Sequence, residues 1–292
     1  MERALSLNLL NAAGVVYFFG VTAACFFTAD LLVLPRLSAD GDLASPGCVR
    51  LLLYCVIAEV LANYFAVLRT SRRNSATSTV FARTPASTNG SSTVLGYSGL
   101  ANAEFCLHCR AKRPPGAHHC PLCRVCVLGH DHHCFFTACC IGRCNRRHFL
   151  PLMLHVLLGS SLCVCLQYLY LARVFQPALS VNIWMYFYPI TVVLYATGNA
   201  DASVVAMVTL LFATLFGVLA SFYFFFFQLL LVCRGQTPHE FAEVSAPAPK
   251  MSLGSCRRNC ARVFGRCGLL QFLWPCPALP MPEDFARPAK TA

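Results

Sequence analysis

Four long apolar runs constrain this chain more than any other feature. They cover about Leu9–Ala29, Cys48–Leu68, Phe149–Ala172 and Ser203–Val232. A helix needs roughly 20 apolar residues to cross the hydrocarbon core of a bilayer, and each run meets that length. Backbone amides in lipid have no water to bond, so a single run that crosses must do so as a helix. Charged residues are only 12% of the 292, about half the share of a soluble domain. The first run exceeds the ~7–15 apolar residues of a signal peptide core and reads as a span. Glu59 and Arg50 interrupt the second. A carboxylate at that depth either faces the bundle interior or a polar cavity, or is protonated and packed.

Basic residues orient the spans. Between Arg69 and Arg147 there are eleven Lys/Arg against two acids, Glu104 and Asp131. Lys and Arg beside span ends stay on the cytosolic side. That places this loop in the cytosol, together with the tail that carries Arg234, Arg257, Arg258, Arg262 and Arg266. Asn89-Gly90-Ser91 is a glycosylation sequon, which would need the lumen; the charge asymmetry outweighs it. Val181–Ala200 is apolar too, with Trp184, Tyr186 and Tyr188. Aromatic side chains favour the headgroup level, so this stretch is expected to be lumenal or interfacial, or else to displace part of the last span.

The expected layout is α-helical and integral to the membrane. Two spans and a short lumenal loop occupy 1–70, a flexible cytosolic linker 71–100, a cysteine-rich module 101–149, two more spans 150–233 and a cytosolic tail 234–292. Within the linker, Ser75–Ser98 is rich in Ser, Thr, Gly and Asn without apolar periodicity, as flexible segments are. Ala246–Lys250 also reads as a linker, and Leu269–Leu279 as a stretch able to return to the membrane surface. No internal repeat is evident.

Nine of the 19 cysteines lie between Cys106 and Cys144. Cytosolic thiols stay reduced, so clustering there points to metal or catalysis rather than disulfides. Cys106/Cys109 and Cys120/Cys123 are Cys-x-x-Cys pairs, each with the reach to hold one edge of a zinc tetrahedron. Cys126, His118, His119, His132, His133 and Cys140 supply further donors. Two four-coordinate sites need eight. Neighbours such as His119 and Cys120 rarely close on one metal, so they are expected in different sites; spacing does not say which pair takes which later ligand. Asp131-His132-His133-Cys134 adds a thiol beside an imidazole and a carboxylate. An imidazole held by a carboxylate can turn a thiol into the thiolate that attacks.

The run from Cys106 through Cys134, continuing over Thr137, Cys140-Ile141-Gly142, Asn145 and Phe149, resembles the cysteine-rich domain of the DHHC protein acyltransferases. The register holds without a gap, and the span layout is similar too. The resemblance implies a four-span membrane enzyme whose zinc-bound cytosolic domain lies between helices 2 and 3. One zinc would be held by Cys106, Cys109, His119 and Cys126, the other by Cys120, Cys123, His133 and Cys140. Cys134 would carry the acyl group, activated by His132 and Asp131. The acyl donor would be palmitoyl-CoA or another long-chain acyl-CoA, with Arg113 and His118 near its phosphates. The acceptors would be cytosolic cysteines of membrane-associated proteins.

The implied setting is the endoplasmic reticulum and/or Golgi membrane, among membrane lipids, with both termini cytosolic. In the tail, Thr237-Pro238-His239-Glu240 and Asn259 with Phe264-Gly265 resemble family motifs. Phe135-Phe136, Cys139, Gly116 and Pro238 depart from the family pattern.

Three other readings compete. A catalytically weak adaptor would keep the same fold. A transporter has only Glu59 in its favour and lacks paired broken helices. A nucleic-acid reader lacks a basic recognition helix, so no nucleic-acid partner is expected.

Overall fold

The computed structural model describes residues 2–75, 104–113, 116–175, 186–242 and 251–274. The apolar runs become helices longer than themselves. α1 (Glu2–Thr28) passes through a π-helical turn (Ala29–Val33) into α2 (Leu34–Ala39), and α3 covers Pro46–Ser71. Six short strands follow, and then α4 (Arg146–Phe175), α5 (Tyr188–Ala196) and α6 (Ala202–Arg234).

Among the described residues four stretches are long and apolar enough to cross a membrane: Ser6–Ala39, Pro46–Asn74, Arg146–Arg173 and Ala202–Arg234. Each contains one of the apolar runs. Val16, Leu52, Phe65, Phe216, Leu219 and Tyr223 stay exposed on them, an outward apolar surface suited to lipid rather than water. The nine residues of α5 are too few to cross, and the last span is separate from it. Residues 181–185 lie outside the described residues. So do the linker from 76, the sequon, Ala246–Lys250 and 275–279.

The chain divides into two compact units. One takes 16–61 and 152–226. Its core is built on Val33, Leu34, Leu37, Leu171 and Val208, all fully buried. Within it Gln167 Nε2 donates to Thr214 Oγ1 at 3.3 Å, and Cys25 Sγ lies 3.1 Å from the same hydroxyl. Such bonds hold helices together where lipid offers no hydrophobic contrast. Arg50, at the start of a span, pairs with Asp30 at 2.8 Å, and Tyr54 donates to the same carboxylate at 3.0 Å. Arg173 pairs with Asp42. Glu59 is half-buried on α3.

The other unit takes 1–15, 62–151 and 227–292. Its strands form three separate antiparallel hairpins: β1 (Glu104–Cys106) with β2 (Ala111–Arg113), β3 (Ala117–Cys120) with β4 (Val125–Leu128), and β5 (His132–Cys134) with β6 (Cys139–Ile141). The pairs that close the three turns are Cys106↔Ala111, Cys120↔Val125 and Cys134↔Cys139. Each lies fourteen residues after the last. The final turn residue has positive φ in all three: Arg110 (51°), Arg124 (57°) and Ala138 (48°).

The module is therefore a threefold hairpin repeat, and the expectation of no internal repeat is corrected. The repeat escapes a sequence reading because the turns share backbone geometry while most side chains differ. Cys, His and the turn-closing Arg110 and Arg124 recur, and mostly not in all three hairpins.

The tail adds α7 (Pro238–Ala242), α8 (Leu253–Phe264) and a 3₁₀ segment (Gly265–Phe272). α7 opens with a capping arrangement. The Glu240 carboxylate accepts from the Thr237 N–H at 2.7 Å and its hydroxyl at 3.1 Å, while the Glu240 N–H donates to Thr237 Oγ1. This is the reciprocal bonding of a Thr-x-x-Glu box, and Pro238 occupies the first helical position, where proline is favoured. Phe264 is buried against Leu150, Val232 and Phe272. Phe272 thus packs inward, whereas Leu270, Leu273 and Trp274 are exposed.

Candidate active site

The hairpins explain how eight donors divide into two sites. In the first, Cys106 and Cys109 flank the turn of hairpin one, while His119 and Cys126 are cross-strand partners on hairpin two. In the second, Cys120 and Cys123 flank the turn of hairpin two, while His133 and Cys140 are partners on hairpin three. His119 and Cys120, adjacent in the chain, fall in different clusters. Each turn bends its N–H back onto the first sulfur: Cys109 N to Cys106 Sγ and Cys123 N to Cys120 Sγ, both at 3.4 Å.

The donors fit zinc. Bonds of 2.0–2.3 Å at tetrahedral angles put ligand atoms roughly 3.5–3.8 Å apart. Here Cys109 Sγ lies 3.7 Å from Cys126 Sγ and 3.2 Å from His119 Nδ1. In the second cluster Cys123 Sγ is 3.4 Å from Cys140 Sγ and 3.3 Å from His133 Nδ1. His133 Nε2 donates to Asn11 Oδ1 at 2.9 Å, the outer bond that fixes a ligating imidazole. Each cluster can hold a zinc ion.

The third hairpin has a turn, but among the described residues no fourth hairpin follows to supply partners. Cys134 occupies the place that Cys106 and Cys120 hold in the other turns, and Thr137 replaces the second cysteine. Thr137 Oγ1 lies 3.5 Å from the Cys134 carbonyl, to which it donates. Cys134 is 6% exposed and belongs to neither cluster.

His132 sits between Cys134 and Asp131. Its Nδ1–H donates to Asp131 Oδ1 at 2.7 Å, and it hydrogen-bonds the Cys134 thiol as well. Burial opposes charge on all three groups, but their mutual contacts outweigh it. The Asp131 carboxyl is held below its usual range by His132, Arg146 and Gln228. The His132 imidazole is raised to about 9 by Asp131 and Cys134. The Cys134 thiol is lowered by His132 and then by Thr137. The arrangement favours a thiolate–imidazolium pair.

Two of the residues that complete this site escaped the sequence reading. Gln228 Nε2 donates to Asp131 Oδ1 at 2.7 Å. Arg146 Nε lies 3.5 Å from Asp131 Oδ2 and donates to Gln228 Oε1 at 3.0 Å. Its Nη1 caps the Gln236 carbonyl at 3.1 Å. Gln228 had a signal, being the one amide in Phe224-Phe-Phe-Phe-Gln-Leu-Leu-Leu231, since a buried polar group in a span marks a partner.

Replacing Gln228 with leucine is expected to lower thermal stability in detergent by about 1–3 kcal/mol, the cost of unpaired buried polar groups. Zinc content should not change, and turnover should fall. An unchanged unfolding midpoint would show that the amide bonds are not made.

α1 also touches the third hairpin. A Cβ on Gly14 would lie 2.6 Å from the Phe135 carbonyl oxygen, so only glycine permits this approach. Tyr64 OH donates to the Phe136 carbonyl at 3.1 Å.

Arg113 Nη1 donates to the Ala117 carbonyl at 2.9 Å. His118 stacks on His239 of α7, with centroids 4.0 Å apart, and His239 Nε2 lies 3.1 Å from His130 Nδ1.

Comparison with known proteins agrees with this geometry. The family described as DHHC palmitoyltransferase matches residues 100–245, half of the chain. Probable palmitoyltransferase ZDHHC24 of Mus musculus is 32% identical over 201 residues, covering 65% of this chain and 66% of that protein. Palmitoyltransferase ZDHHC22 of Rattus norvegicus is 29% identical over 282 residues, covering 93% and 94%. Palmitoyltransferase ERF2 of Candida glabrata is 38% identical over 89 residues, covering 30% and 27%. The chain belongs to the DHHC palmitoyltransferase family. With its four apolar helices it is a multi-pass membrane acyltransferase.

Proposed function

We propose that this chain is a protein-cysteine S-palmitoyltransferase with Cys134 as the acyl carrier. The observation that carries this reading is the chain of bonds Gln228–Asp131–His132–Cys134, which ends on a turn cysteine that neither cluster uses.

The Cys134 thiolate attacks the thioester carbonyl of palmitoyl-CoA or another long-chain acyl-CoA. The carbon–sulfur bond to CoA breaks, and the departing thiolate takes the proton held on His132. An incoming substrate cysteine then gives its proton to His132 and attacks the acyl-Cys134 carbonyl, and Cys134 leaves as thiolate beside the imidazolium. Asp131 keeps Nδ1 protonated and the ring oriented. Zinc at the two clusters would supply folding energy rather than chemistry, held by Cys106, Cys109, His119 and Cys126, and by Cys120, Cys123, His133 and Cys140.

The acceptors are cytosolic cysteines of membrane-associated proteins, and the basic loop and tail face the cytosol. The compartment is the endoplasmic reticulum and/or Golgi. Arg113 and His118 are the candidates for the CoA phosphates.

The test is to give the purified chain labelled palmitoyl-CoA and map hydroxylamine-sensitive label by peptide mass spectrometry. Label is expected on Cys134 at early times. Label absent from Cys134 while a substrate becomes acylated would overturn the assignment.

A further inference from the structure

A third group of cysteines lies apart from the two clusters. Cys256 and Cys260 are one helical turn apart on α8, so they share a face. Cys233 closes the last turn of α6. All three sulfurs lie within 4.8 Å of one another, and all three residues are half-buried.

The approach of α8 to α6 is built in. Asn259 Nδ2 donates to the Cys233 carbonyl at 2.9 Å. α6 ends at Gly235 (φ 70°), where the Gly235 and Gln236 N–H groups cap the Val232 and Leu231 carbonyls. A Cβ on Gly235 would sit 2.8 Å from the Asn259 amide nitrogen, so the contact requires this glycine. Burial of Phe264 against Leu150 and Val232 fixes the far end of α8.

We propose that Cys233, Cys256 and Cys260 form a third metal site, a trithiolate for zinc that pins α8 to the end of α6. Thiolates select soft or borderline d¹⁰ cations such as zinc, and three protein ligands leave a fourth position for water. Three thiolates and one Zn²⁺ carry a net charge of −1. α8 carries Arg257, Arg258 and Arg262 and no acid, a basic helix that favours an anionic complex.

Cys233 and Cys256 are joined as a disulfide in the structure, so zinc needs the reduced form. Two equivalents of a low-molecular-weight thiol reduce that bond and themselves become a disulfide. The three thiols then lose three protons as three zinc–sulfur bonds form. The inference rests on the cytosolic placement of the tail proposed above, because cytosolic thiols are kept reduced.

The test uses the full chain in detergent, purified under reductant with zinc supplied, and counts metal by mass spectrometry. Three zincs per chain are expected for the native protein and two for Cys256→Ser and Cys260→Ser. Two zincs in all three proteins would overturn the site. A second readout is alkylation on cell lysis followed by peptide mapping. Cys233, Cys256 and Cys260 are expected to be protected until a chelator is added and to be modified once it is. Free, unprotected thiols would overturn the metal site alone. An intact Cys233–Cys256 disulfide would overturn both the site and the cytosolic placement of the tail.

Discussion

Replacing Cys134 with serine is expected to abolish transfer of labelled palmitate to a substrate protein while leaving cluster zinc at the wild-type level. The two side chains differ by one atom, and Cys134 is buried, so the swap removes chemistry with little change in packing. A serine hydroxyl is not ionised by a neighbouring imidazole as a thiol is, and an acyl group placed on it would be an oxoester, harder to pass on. His132→Ala should lower transfer by roughly 10²–10⁴-fold, the usual worth of a positioned proton-transfer group. Substrate labelling is the measurement to rely on, because Cys139, directly across the hairpin from Cys134, can take label itself. Undiminished substrate acylation by the serine variant would remove Cys134 from the mechanism.

Removing a cluster ligand is expected to release one zinc and to damage the module in a graded way. The first cluster joins hairpin one to hairpin two; the second joins hairpin two to hairpin three, which carries Cys134. A structural zinc is worth on the order of 10 kcal/mol of folding free energy, and no hairpin of this module has a large apolar core of its own. Cys123→Ala and His133→Ala should therefore lose one zinc and all measurable transfer. Cys109→Ala should also lose one zinc but keep part of its activity. In that variant the third hairpin keeps its own cluster and its contacts with Asn11, Gly14 and Tyr64. Metal counting beside substrate acylation checks both statements. Full zinc retention in either variant would refute that ligand set.

Much of this architecture was legible in the chain. Spans announce themselves because an apolar run of some 20 residues has few other fates. The two donor clusters were legible because Cys and His crowd into one short stretch of the chain. The tail motif was legible in part: Thr237 and Glu240 are spaced for a capping box, and the box forms. Less visible was anything that depends on two distant segments meeting. Arg146 lies at the head of one span and Gln228 near the foot of another, yet both bond to Asp131. Gly14 reads as one more small residue in an apolar run until the Phe135 carbonyl is set against it.

Cys134 shows where the division falls. The sequence by itself determined that there are more thiols than two zincs need, and that one of them stands beside His132 and Asp131. That follows from counting donors, a local property of the chain. Why Cys134 is spared, although it holds the place of Cys106 and Cys120, is visible only in the folded chain. The hairpins form a series in which each turn borrows its remaining ligands from the next, and Cys134 sits in the last turn. The partners that lower its pKa and hold His132 are bonds across the fold. They exist only once Asp131 is buried between Arg146 and Gln228, because water would otherwise satisfy the same groups.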